Sequence, residues 1–67
     1  ASAPAVRGLM KLLQDDRGSV RLAALAALTA IGPAAQDAAT AIKALAEHDK
    51  YAQVREAATL AIGAITS

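Results

Sequence analysis

An internal repeat is the feature that most constrains the fold of this chain. The segment DDRGSVRLAALAALTAI at positions 15–31 aligns without a gap on DKYAQVREAATLAIGAI at 49–65, 34 positions later. Upstream of the second turn the offset becomes 33, so one residue has been added there. A helical unit with a period in the thirties is typical of an α-solenoid, in which each unit buries its apolar face against its neighbours. The matched pairs are Asp15 and Asp49, Val20 and Val54, Arg21 and Arg55, Ala23 and Ala57, Ala24 and Ala58, Leu28 and Ile62, Ile31 and Ile65, and, upstream, Leu9 and Ile42, and Leu12 and Leu45.

The composition favours helices throughout. The 67 residues include twenty alanines, the strongest helix former, and no segment alternates polar and apolar residues as a strand would. The absence of cysteine excludes disulfides and thiolate metal sites. The net charge of +1 argues against a protein that binds polyanions through a basic stripe. A chain of this length forms at most one small domain and depends on close helix packing or on a partner.

Breaks in the apolar pattern predict four helices. Ser2 and Ser19 are the expected N-caps of the first two, and Gly32 is expected in a left-handed conformation at the end of the second. The predicted bounds are 4–14, 19–32, 34–48 and 52–66. The residues expected to face inward are Val6, Leu9, Met10, Leu12 and Leu13 in the first helix, Ala38, Ala41, Ile42 and Leu45 in the third, and Val54, Ala57, Ala58, Ala61, Ile62 and Ile65 in the fourth.

The most apolar segment raises the question of a membrane span. From Leu22 to Ala35 the only non-apolar side chain is that of Thr29, but Gly32 and Pro33 interrupt the segment. Fourteen residues are too few for a hydrocarbon core that requires about twenty, so no membrane span is expected. No signal peptide is recognisable at the start, which predicts a soluble, cytoplasmic protein, or an exported one if a signal segment has been removed.

The repeated pattern D…VR..AA..AL..IGPAA resembles the HEAT repeat, particularly the short bacterial HEAT-like form that also occurs in phycobilin lyase subunits. The resemblance implies one all-α HEAT-like domain over residues 1–67, with repeats at about 4–32 and 33–66. Its expected architecture is an α-solenoid fragment of two antiparallel helix pairs with right-handed stacking. The chain departs from the family at Glu47, where a leucine is usual, and in the extra residue of the second unit.

Arg21 and Arg55 each fall in the first turn of a predicted helix, where the helix dipole disfavours a cation. The resemblance implies that Asp15, Arg21, Asp49 and Arg55 form a structural ladder along the turns between repeats. The alternative is that the two arginines bind a phosphate or a partner's carboxylate through bidentate hydrogen bonds.

The resemblance also implies that the second helix of each pair lines an inner face suited to a partner helix. The alternative is that these residues are buried against neighbouring repeats. Leu22 and Leu25 are replaced by Glu56 and Thr59 in the second unit, which places the fourth helix nearer to a polar cap. Because two units are fewer than such stacks usually need, we expect further repeats, self-association or a larger assembly. The candidate partner-binding positions are Ser19, Ala26, Thr29, Ala30, Gln53, Leu60 and Gly63.

The sequence shows no catalytic, metal or cofactor site. His48 and Asp49 adjoin each other, but a zinc site needs three or four converging ligands. Asp15 and Asp16 are neighbours in a turn, whereas hydrolases place two carboxylates across a cleft. The leading interpretation is a non-catalytic protein–protein interaction or assembly module.

Two other functions are weaker alternatives. The chain could be an accessory part of a lyase-like or other enzyme complex. The third possibility is weak nucleic-acid binding, which we do not expect because Tyr51 is the only aromatic ring and the basic residues are dispersed among acids. Those basic residues are Arg7, Lys11, Arg17, Lys43 and Lys50.

Overall fold

The computed structural model describes residues 4–66, and this part of the chain is helical with no strand. The prediction of an all-α fold is therefore confirmed. Ser2, the predicted cap of the first helix, lies outside the described residues. The elements in chain order are α1 (Pro4–Leu12), α2 (Gly18–Ile31), a 3₁₀ segment (Gly32–Ala38), α3 (Ala39–His48) and α4 (Ala52–Thr66).

No loop separates α2, the 3₁₀ segment and α3 between Gly18 and His48, although Gly32 and Ala35 have non-helical backbone angles. Residues 4–66 therefore form three helical stretches separated by turns, and the prediction of four separate helices is wrong. Gly32 has a positive φ of 72° at the end of α2, but its ψ of −140° lies outside the predicted left-handed helical region; its N–H donates to the Leu28 carbonyl. The chain then continues as 3₁₀ turns with Pro33 in the first turn, where a missing N–H is tolerated. Gly32 and Pro33 change the direction of the helix without introducing a loop.

This continuity also removes the length argument against a membrane span. The 31 residues from Gly18 to His48 are long and apolar enough to cross a membrane by length and composition alone. Core helices of soluble proteins satisfy the same two criteria. In this structure Leu25, Leu28 and Ile42, all from this stretch, are fully buried within the protein's own core. Core packing therefore accounts for part of its apolar character.

Four predicted helix ends are corrected, one of them the end of α2, which lies at Ile31 rather than residue 32. α1 ends at Leu12 rather than residue 14. α2 begins at Gly18 with Arg17 at the N-cap position and no side-chain cap, so Ser19 is not the cap. The α-helical part of the third segment begins at Ala39 rather than residue 34, because the residues before it are 3₁₀. α3 ends at His48 and α4 covers 52–66, as predicted.

The core is built mainly from alanine, leucine and isoleucine. α4 packs against both α2 and α3, and α1 packs against α2. The small alanine side chains allow these helices to approach closely. Leu12, predicted to face inward, is instead 42% exposed, whereas Leu13 just beyond the end of α1 is buried. The buried apolar residues are Val6, Leu13, Ala24, Leu25, Leu28, Ala35, Ala38, Ile42, Val54, Ala58, Ala61 and Ile65.

Candidate functional site

The turns before α2 and α4 are closed by the same pair of hydrogen bonds. In each, an aspartate carboxylate accepts the backbone N–H two residues later: Arg17 N to Asp15 Oδ1 and Tyr51 N to Asp49 Oδ2, both 2.9 Å. In each, the arginine six residues after the aspartate donates from Nη1 to that aspartate's backbone carbonyl, at 2.6 Å. The repeated Asp and Arg therefore stabilise each turn locally.

Arg21 also joins the first turn to the second. Its Nε lies 2.6 Å from Asp49 Oδ1 and its Nη2 lies 3.3 Å from Oδ2, the two-point geometry that matches a guanidinium to a carboxylate. The two side chains are only 8% and 4% exposed. The fork of Arg21 is thus occupied by protein groups, which leaves it poorly placed to bind a phosphate.

The electrostatics of Asp49 reflect this environment. Burial on its own would raise the pKa of the Asp49 carboxyl. The hydrogen bonds from Arg21 and from the Tyr51 N–H, together with the positive charges of Arg21 and Arg55, outweigh burial and lower that pKa below its ordinary value. Asp49 is therefore an ionised partner for Arg21.

The structure connects all four predicted ladder residues, and we call Asp15, Arg21, Asp49 and Arg55 the turn ladder. The contacts of its end residues, Asp15 and Arg55, differ from the contact between Arg21 and Asp49 in its middle. The Asp15 carboxylate is bound only within its own turn, by Nε and Nη2 of Arg17 at 3.1 and 3.2 Å, and the Arg17 side chain is 74% exposed. These bonds to Arg17 lower the pKa of Asp15. Arg55, at the other end, forms no salt bridge with any residue in the 4–66 range.

Tyr51 is a part of this site that the sequence reasoning missed. Its ring centroid lies 5.8 Å from Arg21 Cζ and 5.2 Å from Lys50 Nζ, within the range of cation–π attraction. Gly18 leaves room for the ring, because a Cβ at Gly18 would lie 2.8 Å from Tyr51 Cδ2. One feature of the sequence could have indicated its role: Tyr51 is the only aromatic residue of the chain, and it lies two positions after the repeated aspartate Asp49.

Among the described residues, the polar side chains around the ladder do not form a metal-binding cluster. His48 is 81% exposed, with Nε2 3.8 Å from Glu47 Oε1. The neighbouring Asp49 carboxylate binds Arg21 rather than His48. Within the described range no group of three His, Cys, Asp or Glu side chains could hold a metal ion.

The candidate partner-binding residues lie on the outward sides of α2 and α4, and we call them the exposed wall. Six of the seven are exposed. Thr29 is half-buried, and its hydroxyl donates to the Leu25 carbonyl at 2.7 Å. Leu60 is the most prominent, with 71% of its surface exposed. The exposed wall comprises Ser19, Ala26, Thr29, Ala30, Gln53, Leu60 and Gly63.

Comparison with known proteins gives one family match. A family model described as HEAT repeats matches residues 1–63. No curated protein and no solved structure matches the chain.

Proposed function

The chain belongs to the HEAT-repeat family, and we propose that it is a non-catalytic protein–protein interaction module. HEAT repeats generally mediate contacts between proteins and are generally not catalytic. In this proposal residues 4–32 and 33–66 are two successive units. The turn ladder holds the two units in register, and the exposed wall receives a partner.

The single observation that supports this role best is the exposure of Leu60. A leucine at 71% exposure is the largest apolar group left open on α4. The other members of the exposed wall are small or uncharged, so the wall can approach a partner backbone closely without desolvating a charge. An amphipathic helix laid across α2 and α4 is the occupant that such a surface fits best.

Affinity capture from the native source followed by mass spectrometry tests this proposal. The bait is the full chain, compared with Leu60→Glu and Ala26→Glu, which place a charge on the exposed wall. Thr40→Glu, at an exposed position on α3, is the control for added charge. Circular dichroism establishes that each variant is folded.

We expect proteins retained by the wild type and by Thr40→Glu to be lost from both wall variants. Capture of the same proteins by Leu60→Glu as by the wild type would contradict the exposed wall as the binding surface. A wild-type bait that retains nothing above an empty matrix would contradict the proposed function itself.

A further inference from the structure

A groove lies between α1 and the 3₁₀ segment, and none of its residues belongs to the exposed wall. It has a volume of about 440 Å³. Met10 is half-buried and packs against the core, whereas the four polar residues of the groove are exposed. One wall comes from each proposed unit, so the groove lies between the two units rather than on an end of the stack. We call it the α1 groove, and it is lined by Arg7, Met10, Lys11, Gln14 and Asp37.

The charged groups of the α1 groove are not paired with one another. Arg7 and Lys11 are four positions apart on α1, which places them on the same side of the helix. Neither cation, nor Asp37 on the opposite wall, forms a salt bridge with any residue in the part of the chain that the structure describes. The groove therefore presents two positive charges along one wall and one negative charge on the other.

The internal repeat shows that the fold does not require these residues. The three positions of α1 that line the groove hold other residue types in the second unit, where Thr40, Lys43 and Ala44 stand in place of Arg7, Met10 and Lys11. The apolar character of Leu9, by contrast, is kept at its equivalent, Ile42. The second unit thus forms its helix without the pair of cations and without the methionine. Folding of the repeat does not account for this combination, so we looked for a ligand that does.

The charges of the α1 groove discriminate among possible ligands. A nucleic acid or an anionic membrane is a poor match, because Asp37 would be placed against its phosphates and only two cations would oppose them. α1 also lacks a free apolar face with which to enter a bilayer, since Val6 and Leu13 are buried in the protein's own core. A protein helix is a better match, because it can present charges of both signs at fixed positions.

We propose that the α1 groove binds a helix of a partner protein that carries charges of opposite sign on its two edges. Two carboxylates one helical turn apart pair with Arg7 and Lys11, whose spacing they match. A leucine or methionine between the edges contacts Met10, a flexible side chain that adapts to the shape of an apolar group. A lysine or arginine on the other edge pairs with Asp37. This inference goes beyond the proposed function, because it assigns a second binding surface and the charge pattern of its partner.

Selection from a displayed library of helical peptides tests the proposal. The library is an alanine-based helix of about 18 residues, long enough to be helical in water, in which the positions of one face are varied among Glu, Lys, Leu and Ala. The baits are the full wild-type chain and Arg7→Glu/Lys11→Glu, which reverses the charge of one wall. Lys43→Glu/Lys50→Glu is the matched control, because it makes the same change in net charge at exposed positions outside the groove. Circular dichroism establishes that each bait is folded.

We expect the wild type and the control to enrich peptides with two Glu one turn apart, a Leu beside them and a Lys on the opposite edge. The reversed bait should instead enrich Lys at the two Glu positions. Fluorescence anisotropy of one enriched acidic peptide should show binding to the reversed variant that is about tenfold weaker or more, because like charges then face each other. Its affinity for the wild type should fall as salt is added, since the pairs are exposed.

Three results would overturn the proposal. The first is a selection in which the wild type enriches no acidic pair, or in which the reversed bait enriches the same charge pattern as the wild type. The second is a selection that yields only peptides whose binding is lost with Leu60→Glu and kept with Arg7→Glu/Lys11→Glu, which would assign them to the exposed wall. The third is binding of the wild type to vesicles containing phosphatidylserine, or to duplex DNA, that Arg7→Glu/Lys11→Glu abolishes, because the two cations would then bind a polyanion.

Discussion

Arg21 and Arg55 make the same hydrogen bond to the turn that precedes them, but only Arg21 also binds a carboxylate across the repeat boundary. Both donate from Nη1 to an aspartate carbonyl six residues earlier, at 2.6 Å. Arg21 then pairs with Asp49 in a setting where both side chains are less than a tenth exposed. The two positions therefore provide an internal comparison between a contact within one turn and a contact that joins the two turns.

Replacing these arginines should have unequal consequences for stability. Arg21→Ala leaves the Asp49 carboxylate buried without its partner, which typically costs about 3–5 kcal/mol. Arg55→Ala removes a hydrogen bond to a backbone carbonyl, a loss of about 1–3 kcal/mol. Chemical denaturation of both variants, followed by circular dichroism, measures the difference. A free energy of unfolding that Arg21→Ala leaves unchanged would refute the structural role of the ladder.

The Arg21–Asp49 pair should also make stability depend on pH in the acid range. The pKa of Asp49 in the folded protein is lowered from its ordinary value of 3.8. The unfolded chain therefore binds more protons as the pH falls, so the contribution of Asp49 is fully present above about pH 5 and is lost as the pH falls through the folded pKa. Thermal unfolding midpoints of the wild type and Asp49→Asn should differ most near neutral pH and converge in acid.

Asp16→Asn is the control for this pH effect. Asp16 is exposed in the first turn, beside the ladder residue Asp15. Its replacement should leave the acid dependence of the wild type nearly intact. A wild-type advantage over Asp49→Asn that persists undiminished at pH 2 would show that the carboxylate charge of Asp49 does not stabilise the fold.

The repeat made much of the architecture predictable, because equal residues at a fixed offset indicate equivalent positions in two similar helical units. It paired Asp15 with Asp49 and Arg21 with Arg55, and the resemblance to HEAT repeats implied that the four form a ladder. The predicted bounds of α4 were also correct. The repeat did not determine that Arg21 binds the carboxylate of Asp49 in the second turn as well as the backbone carbonyl of Asp15 in the first. The Arg21–Asp49 contact depends on the distance between the two turns, and that distance is set by how the helices pack.

Predictions from the preferences of single residues were wrong where a tertiary contact or a competing hydrogen bond replaced the expected helix cap or helix end. Ser19 is a good N-cap residue by type, yet the turn is instead held by Asp15, whose carboxylate accepts the Arg17 N–H. Gly32 and Pro33 together predict a break, and Gly32 does leave helical geometry, with φ 72° and ψ −140°; Pro33 then begins 3₁₀ turns directly, so no loop separates α2 from α3. Residue preferences locate such a junction without specifying whether it becomes a loop or a bend.

Two glycines should respond oppositely to alanine. Gly8 lies inside α1, and no other side chain comes within 4 Å of the position that an alanine methyl group would take there. Gly8→Ala should therefore stabilise the protein by about 0.5–1 kcal/mol through helix propensity. Gly32 has a φ of 72° and a ψ of −140°, a backbone region that is essentially restricted to glycine and costs another residue about 1–3 kcal/mol. Thermal unfolding should show a higher midpoint for Gly8→Ala and a lower one for Gly32→Ala. Equal shifts for the two variants would contradict the bend at Gly32.

Leu25 and Thr59 occupy equivalent positions of the repeat but should tolerate truncation very differently. Leu25 is fully buried between the two units, so Leu25→Ala removes apolar contacts and leaves a cavity, at a cost of about 2–5 kcal/mol. Thr59 is exposed, and its hydroxyl donates a hydrogen bond to the Arg55 carbonyl at 3.0 Å, a local contact within α4. Thr59→Ala should therefore change the free energy of unfolding by less than about 0.5 kcal/mol. A large loss at Thr59 would mean that this side of α4 is covered in solution rather than forming the polar end of the stack.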